Sequence, residues 1–187
     1  KYGSYNPWVM SSILGKFPPG SINSLLGIEE VEAAMNRELK RDDYDWAQKR
    51  LGIDVARFGD DRTVIVPRQG LACFQPVEMR NARTNEIAAR VARAKEDWGS
   101  ENEFVDGTGG YGGGVIDSLM QAGYRPMEVQ FAGKASDPRF LNKRAEMWWN
   151  MAEWIKRGGA LPRSPQLIKE LTAPTYTFHN GKIQIEE

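Results

Sequence analysis

Three short apolar runs follow one another in the first half of the chain: Leu51–Ala56, Thr63–Pro67 and Leu71–Val77, with turn residues between them at Phe58–Asp61 and Arg68–Gly70. Runs of this length, bounded by Gly, Pro and Asp, predict strands, and their short connections predict an antiparallel meander. The period then changes. Over residues 84–98 the apolar positions Ile87, Val91, Ala94 and Trp98 recur at helical spacing and predict an amphipathic helix. A strand is expected at 102–106 ("NEFVD"), then a glycine-rich loop ("GTGGYGGG"), a helix at 115–124 closed by Gly123, and a strand within 126–133. A long helix over about 139–157 would bury Leu141, Ala145, Trp148, Ala152 and Ile155 on one face. Ser164 with Pro165 behind it opens a short helix, and Asn180-Gly181 is a two-residue hairpin turn near the end. At the front, residues 1–25 read as an irregular segment anchored by Trp8, Ile13 and Leu14. Ile28, Val31, Ala34 and Met35 then predict a short helix within 27–40, and a charged connector, "RDDYDWAQK", follows.

The resulting order is three strands, helix, strand, helix, strand, helix. A meander feeding into βαβ units predicts an α/β fold with a mixed sheet, antiparallel in the meander and parallel beyond it, flanked by helices on both faces. The ribonuclease-H-like architecture has this order.

Composition narrows the picture in three places. The chain has 25 basic and 25 acidic residues in 187, so a polyanionic partner would have to be met by local patches. Two segments supply them. Glu78–Lys95 carries Arg80, Arg83, Arg90, Arg93 and Lys95 against Glu78 and Glu86; Lys134–Arg157 carries Lys134, Arg139, Lys143, Arg144, Lys156 and Arg157 against Asp137, Glu146 and Glu153. Each is read either as a solvated helix face or as a surface that follows a phosphate backbone. The single cysteine, Cys73, excludes an internal disulfide and reads as core, and no apolar run is long enough to span a bilayer. His179 is the only histidine and sits at the hairpin turn, which argues against histidine-dependent hydrolysis.

The candidate chemistry is acidic. Asp54 interrupts the first strand, and Asp106 ends the strand after the first long helix. In a ribonuclease-H-like sheet these two strands are neighbours. Two carboxylates held side by side repel unless a hard divalent cation removes the conflict, and a pair of such ions could activate water and stabilise the leaving oxygen of a phosphodiester. Each acid also has a plainer reading: Asp54 as a satisfied buried or bulge residue, Asp106 as the cap of the following turn. Asp60 and Asp61 occupy a tight turn where acids are common, and Asp61 could point back to the pair. The glycine loop lacks the Gly-Lys-Ser/Thr of a P-loop, so it is either a flexible loop that lets the next helix pack or a cradle for a DNA backbone.

"GIDVARFGDDRTVIV", "FVDGTGGYGGGVIDSL", "NKRAEMWWNMAEWIKRGGALP" and "LIKELTAPTYTFHNGKIQIEE" together resemble the C-terminal nuclease domain of the large terminase subunit of tailed bacteriophages, over nearly the whole chain. The front, "PWVMSSILGKFPPGSINSLLGIEEVEAAMNR", is similar to the stretch that joins the ATPase motor of that family to its nuclease. The resemblance implies an endonuclease that cuts concatemeric double-stranded viral DNA during packaging, using two Mg²⁺ or Mn²⁺ ions. Asp54 and Asp106 would be metal ligands and Asp61 an accessory acid. Arg80, Arg83, Arg90, Lys134, Arg139, Lys143 and Arg144 would hold DNA. It further implies residues 1–47 as a linker and helix leading from a motor domain of the same polypeptide, and 48–187 as the nuclease domain, cut off before its last helix. The portal and the small terminase subunit would be partners, no membrane would be involved, and the setting would be the host bacterial cytoplasm. The family's third acid lies on a helix beyond the last hairpin, past Glu187.

Two other readings compete. An actin-like or sugar-kinase ATPase shares the sheet topology and an Asp-Gly-Thr-Gly run, but the Asp54–Thr63 hairpin is long for its phosphate loop. A DNA- or motor-docking module would keep the fold and drop the catalysis.

Overall fold

The computed structural model describes residues 23–56 and 61–186, so the expected anchors Trp8, Ile13 and Leu14, and also Asp60, lie outside the described residues. In chain order the elements are α1 (Ile28–Met35), β1 (Lys49–Asp54), β2 (Thr63–Gln69), β3 (Ala72–Cys73), β4 (Val77–Met79), α2 (Thr84–Trp98), β5 (Asn102–Asp106), α3 (Tyr111–Gln121), β6 (Met127–Val129), α4 (Lys143–Lys156), α5 (Pro165–Thr172), β7 (Thr175–His179) and β8 (Lys182–Glu186). They form two compact units: residues 38–132, and a second unit in which the segments before 38 and after 132 come together.

The 38–132 unit holds the mixed sheet expected from the sequence, in the order β3-β2-β1-β5-β6, with β4 also paired to β2. β1 runs antiparallel to β2 and parallel to β5, and β5 runs parallel to β6. The expected third meander strand is broken into β3 and β4. Pro76 has no N–H to give a ladder, and the Phe74 N–H turns back to the Pro67 carbonyl at 3.0 Å. Helix α2 spans the residues its periodicity predicts and ends at Gly99, whose φ of 69° is the left-handed cap. Its buried Ile87 and Val91 join Val115 and Leu119 of α3 over Leu51, Ile53, Ile65 and Val105 of the sheet, forming one apolar core. A buried polar group closes the far end: Glu103, 4% exposed, accepts from Lys95 Nζ at 2.9 Å and from the Ser100 hydroxyl.

Helix α3 begins at Tyr111, before the expected Val115, and takes up part of the glycine run. Its first turn presses on the end of β5, so that a Cβ at Gly112 would lie 1.7 Å from the Asp106 carbonyl oxygen. Only a glycine allows that approach.

In the second unit, Val31 and Ala34 of α1 pack with Ala152 and Ile155 of α4 and Leu171 of α5. Helix α1 is shorter than expected, ending at Met35. Arg37 then donates to the carbonyls of Ile155 (3.2 Å) and Gly159, satisfying acceptors at the end of α4. Helix α4 also begins later than expected. Asn142 caps it by accepting the Ala145 N–H at 2.9 Å, which leaves residues 139–142 in the preceding loop. The β7–β8 hairpin turns at Asn180 and Gly181, both with positive φ (49° and 76°), as the two-residue turn requires.

Gly112 and Gly113 give a paired prediction. Gly112→Ala should destabilise the fold by about 2–3 kcal/mol, because the clash is with backbone that cannot yield. A Cβ at Gly113 meets nothing within 4 Å, so Gly113→Ala should instead add about 0.5–1 kcal/mol through helix propensity. Urea unfolding of the two variants checks both signs.

Candidate functional site

The parallel register of β1 and β5 sets Ile53 beside Val105. Asp54 and Asp106 are the next residue of each strand and the last, so they end up side by side at the C-terminal edge of the sheet. Adjacent strands are about 4.8 Å apart. Because successive residues alternate faces, both acids lie on the face opposite Ile53, Val105 and the helices α2 and α3.

Asp54 keeps a solvent-exposed surface, yet enough protein surrounds its carboxyl to disfavour the charge. Its pKa is raised above the ordinary aspartate value, first by partial burial, then by the Asp106 charge, then by the Asp61 charge. These electrostatics bring the three sequence-predicted acids into one neighbourhood. Asp61, exposed, stands two residues before β2, and the β1–β2 connection is tied at its base by the Ala56 N–H donating to the buried Thr63 hydroxyl at 3.0 Å. Asp106 has a hydrogen-bond partner where Asp54 has none among the described residues: its Oδ1 accepts the Thr108 N–H at 2.8 Å. The turn-capping reading of Asp106 is therefore correct as far as it goes, and it leaves the second carboxylate oxygen for other work. The Gly107 N–H donates to the Val129 carbonyl at 2.9 Å and the Thr108 hydroxyl accepts from the Phe131 N–H at 3.0 Å, so this edge is braced by main chain.

Glu128 was missed in the sequence. Its carboxylate leans over Gly107, where an added Cβ would sit 2.1 Å from Oε1. Its position in the third parallel strand was the only available signal. Among the described residues no group of three or more His, Cys, Asp or Glu side chains forms a ready-made metal cluster. The donor set is two adjacent carboxylates with further negative charge around them, a hard-oxygen set suited to Mg²⁺ or Mn²⁺.

The glycine run has a packing reason at Gly112, as above, and at Gly114, where a Cβ would lie 3.0 Å from Thr84 Cγ2. That contact also places the start of α2 beside the start of α3, at the carboxylate edge. Arg80, directly after β4, and Arg83, directly before α2, are exposed at that same edge. Arg90 is not. It sits further along α2 and lines a cleft of about 270 Å³ with Leu51, Pro67 and Trp98.

The other predicted DNA-binding residues belong to the second unit. Lys134 is exposed. Arg139 is engaged by Asp137, through Nε at 2.9 Å and Nη2 at 2.7 Å. Lys143 bonds the Ser136 hydroxyl at 2.8 Å and the Glu146 carboxylate. Arg144 is half-buried in the first turn of α4. His179 is exposed at the end of β7, and Cys73 is half-buried with its thiol pushed up to about 11, chiefly by burial. Neither has the surroundings of a nucleophile or base.

No protein-family model matches this chain, and no curated protein matches it in sequence. Solved structures do match its fold. The nuclease domain of the large terminase subunit gp2 of bacterial virus Sf6 superposes with a TM-score of 0.70 at 18% identity, covering 88% of each chain. A mutant of that domain solved with manganese gives a TM-score of 0.64 at 17% identity, over 87% of this chain and 88% of that one. The large terminase nuclease of thermophilic phage G20c with bound magnesium gives 0.62 at 19% identity, over 89% of this chain and 88% of that one. With its mixed sheet and C-terminal acidic edge, this chain has the ribonuclease-H-like fold of phage large-terminase nuclease domains.

Proposed function

We propose that this chain is a divalent-metal-dependent endonuclease that cuts double-stranded viral DNA during genome packaging. The observation that carries the reading is the placement of Asp54 beside Asp106 at the C-terminal sheet edge, with the Asp54 charge disfavoured by its neighbours. Asp54 and Asp106 would hold Mg²⁺ or Mn²⁺, two ions in the complete site, with Asp61 as an accessory acid. When bound, such ions supply an activated water and charge neutralisation at the leaving oxygen of a phosphodiester.

The chain's own contribution is placement. Both carboxylates stand on strand ends rather than on loops, and Asp106 is further fixed by the Thr108 N–H, so the donors are oriented in advance. Arg80 and Arg83 flank the same edge and would hold the phosphates on either side of the cut. Those contacts carry no base sequence, so cutting with little sequence readout follows. The fold shared with the Sf6 and G20c nucleases, of which some were solved with manganese or magnesium, supports this reading. Concatemeric viral DNA would be the substrate. A motor domain of the same polypeptide, the portal and the small terminase subunit would be the partners, in the host cytoplasm. No helix among the described residues is long and apolar enough to cross a membrane. The docking-module alternative draws on one observation, that no three-ligand cluster is preformed among the described residues.

Stability should register the site before activity does. A carboxyl whose folded pKa is raised contributes stability that is fully present below its unfolded value and is lost as pH rises through the folded value. At neutral pH the Asp54 charge therefore opposes folding. In EDTA at pH 7, Asp54→Asn should melt about 1–3 °C above the unaltered protein, the gap closing as pH falls through the carboxylate range. Mn²⁺ should raise the melting temperature of the unaltered protein and leave Asp54→Asn unmoved.

Nicking of supercoiled plasmid tests the reaction itself. Outer contacts to metal ligands are worth about 10–100-fold, so losing a ligand by Asp54→Asn or Asp106→Asn should cost at least about 100-fold. If the protein folds, binds DNA and still does not cut with either metal, the docking-module reading replaces this one. In the same preparations Arg83→Ala should lower the salt-dependence slope of DNA binding by about 1, and Arg90→Ala should leave it unchanged.

A further inference from the structure

Among the described residues of the second unit, a connected polar framework is centred on Glu146, a residue the nuclease reading does not use. Glu146 is 7% exposed. One of its oxygens accepts the Asp137 N–H at 3.0 Å; the other accepts the Ser136 N–H at 3.1 Å and the Lys143 ammonium. Lys143 in turn bonds the Ser136 hydroxyl, and its own N–H donates to the Gly133 carbonyl at 2.7 Å. A buried carboxylate on the first turn of α4 thus fixes the backbone of the loop that leads into that helix.

The framework continues outward. Asp137, its N–H held by Glu146, accepts the Arg139 backbone N–H at 2.9 Å and grips Nε and Nη2 of the same guanidinium. The Arg139 side chain remains 67% exposed. With Nε and one Nη2 hydrogen directed at Asp137, the Nη1 edge faces away from the acid in a fixed orientation. Beyond it, the Arg139 carbonyl accepts the Ile183 N–H at 2.7 Å, so main chain anchors the loop on its other side. Lys134, exposed and without a hydrogen bond or ion pair among the described residues, is presented by the same loop.

We propose that Glu146 is a positioning residue that sets Arg139, acting through Asp137, and Lys134, through the loop that Glu146 and Lys143 hold, for contact with the phosphates of duplex DNA. This rests on the DNA-cutting reading above and adds how one of its grips is shaped. The alternative is simple neutralisation, in which the negative charges of Asp137 and Glu146 weaken the attraction of a polyanion. The two predict opposite signs, because removing either acid makes the surface more positive.

The test is the affinity of the protein for a short duplex in EDTA across a salt series, for the unaltered protein, Glu146→Gln and Asp137→Asn, each with and without Arg139→Ala. Despite the added positive charge, both acid variants should bind about 3–10-fold more weakly, with the salt slope lowered by about 1. The Arg139→Ala penalty should shrink in either background. Asp137 lies at the surface, so its variant keeps the test decisive if Glu146→Gln fails to fold. If the unaltered protein binds with a steep salt slope and the variants bind as well or better, this inference is overturned and the nuclease reading stands. If the unaltered protein binds no DNA, both fall together.

Discussion

The fold of the 38–132 unit and the candidate site both depend on one contact, the parallel pairing of β1 with β5 in the register that sets Ile53 against Val105. That register does two things at once. It turns Leu51, Ile53 and Val105 into the apolar core beneath α2 and α3, and it leaves Asp54 and Asp106 adjacent on the opposite face. A slip of one residue would bury a carboxylate and expose an isoleucine, so the hydrophobic core itself enforces the geometry of the acids. The site needs no separate scaffold, because the force that closes the core also aligns the two carboxylates.

The cost of that alignment falls unevenly. Asp106 receives a main-chain N–H, whereas Asp54 has burial and two like charges raising its pKa. An arrangement that opposes folding persists only where the surroundings hold it in place, and here they do. The Thr63 hydroxyl ties the β1–β2 connection beside one acid, and Gly112 lets α3 close against the backbone of the other. A cation between the two carboxylates would relieve the repulsion between them, so the proposed metal binding and the local instability would have the same origin.

Much of this was legible in the sequence, and the failures have local causes. The α2 stripe and the Asn180-Gly181 turn are read directly, because each rests on a strong periodic or positional signal. The pairing of Asp54 with Asp106 required the topology as well, since nothing in the spacing of the two residues brings them together. The third meander strand failed at Pro76, where the missing donor outweighed an otherwise apolar run. The long helix failed at its start because Asn142 was a stronger cap than the apolar pattern was a helix signal. The basic residues were the least legible. Charge counting ranked Arg80, Arg90, Arg139 and Lys143 alike, but a side chain's use depends on its neighbours. Lys143 is spent on Glu146, Arg139 is braced by Asp137, and Arg90 lies on a cleft away from the acidic edge. Glu128 has no signal in the sequence beyond its strand position and Glu146 counts there only as a charge, for the same reason: each is an ordinary acid until the fold gives it a neighbour.

The same reasoning accounts for a close structural match at only 18% identity over 88% of the chain. In this chain the constraints fall on few positions: two acids at matched strand ends, apolar residues alternating behind them, and a residue without a side chain where α3 meets β5. The apolar positions can exchange among Val, Ile and Leu at little cost provided volume is kept, and the outer surface is free to drift. What cannot drift is the coincidence of the two strand ends. An insertion before Asp54 within β1, but not one in the β1–β2 connection, would break the register and separate the acids while the chain could still form a sheet. Substitutions compatible with this fold should therefore concentrate in the loops and on the solvent faces.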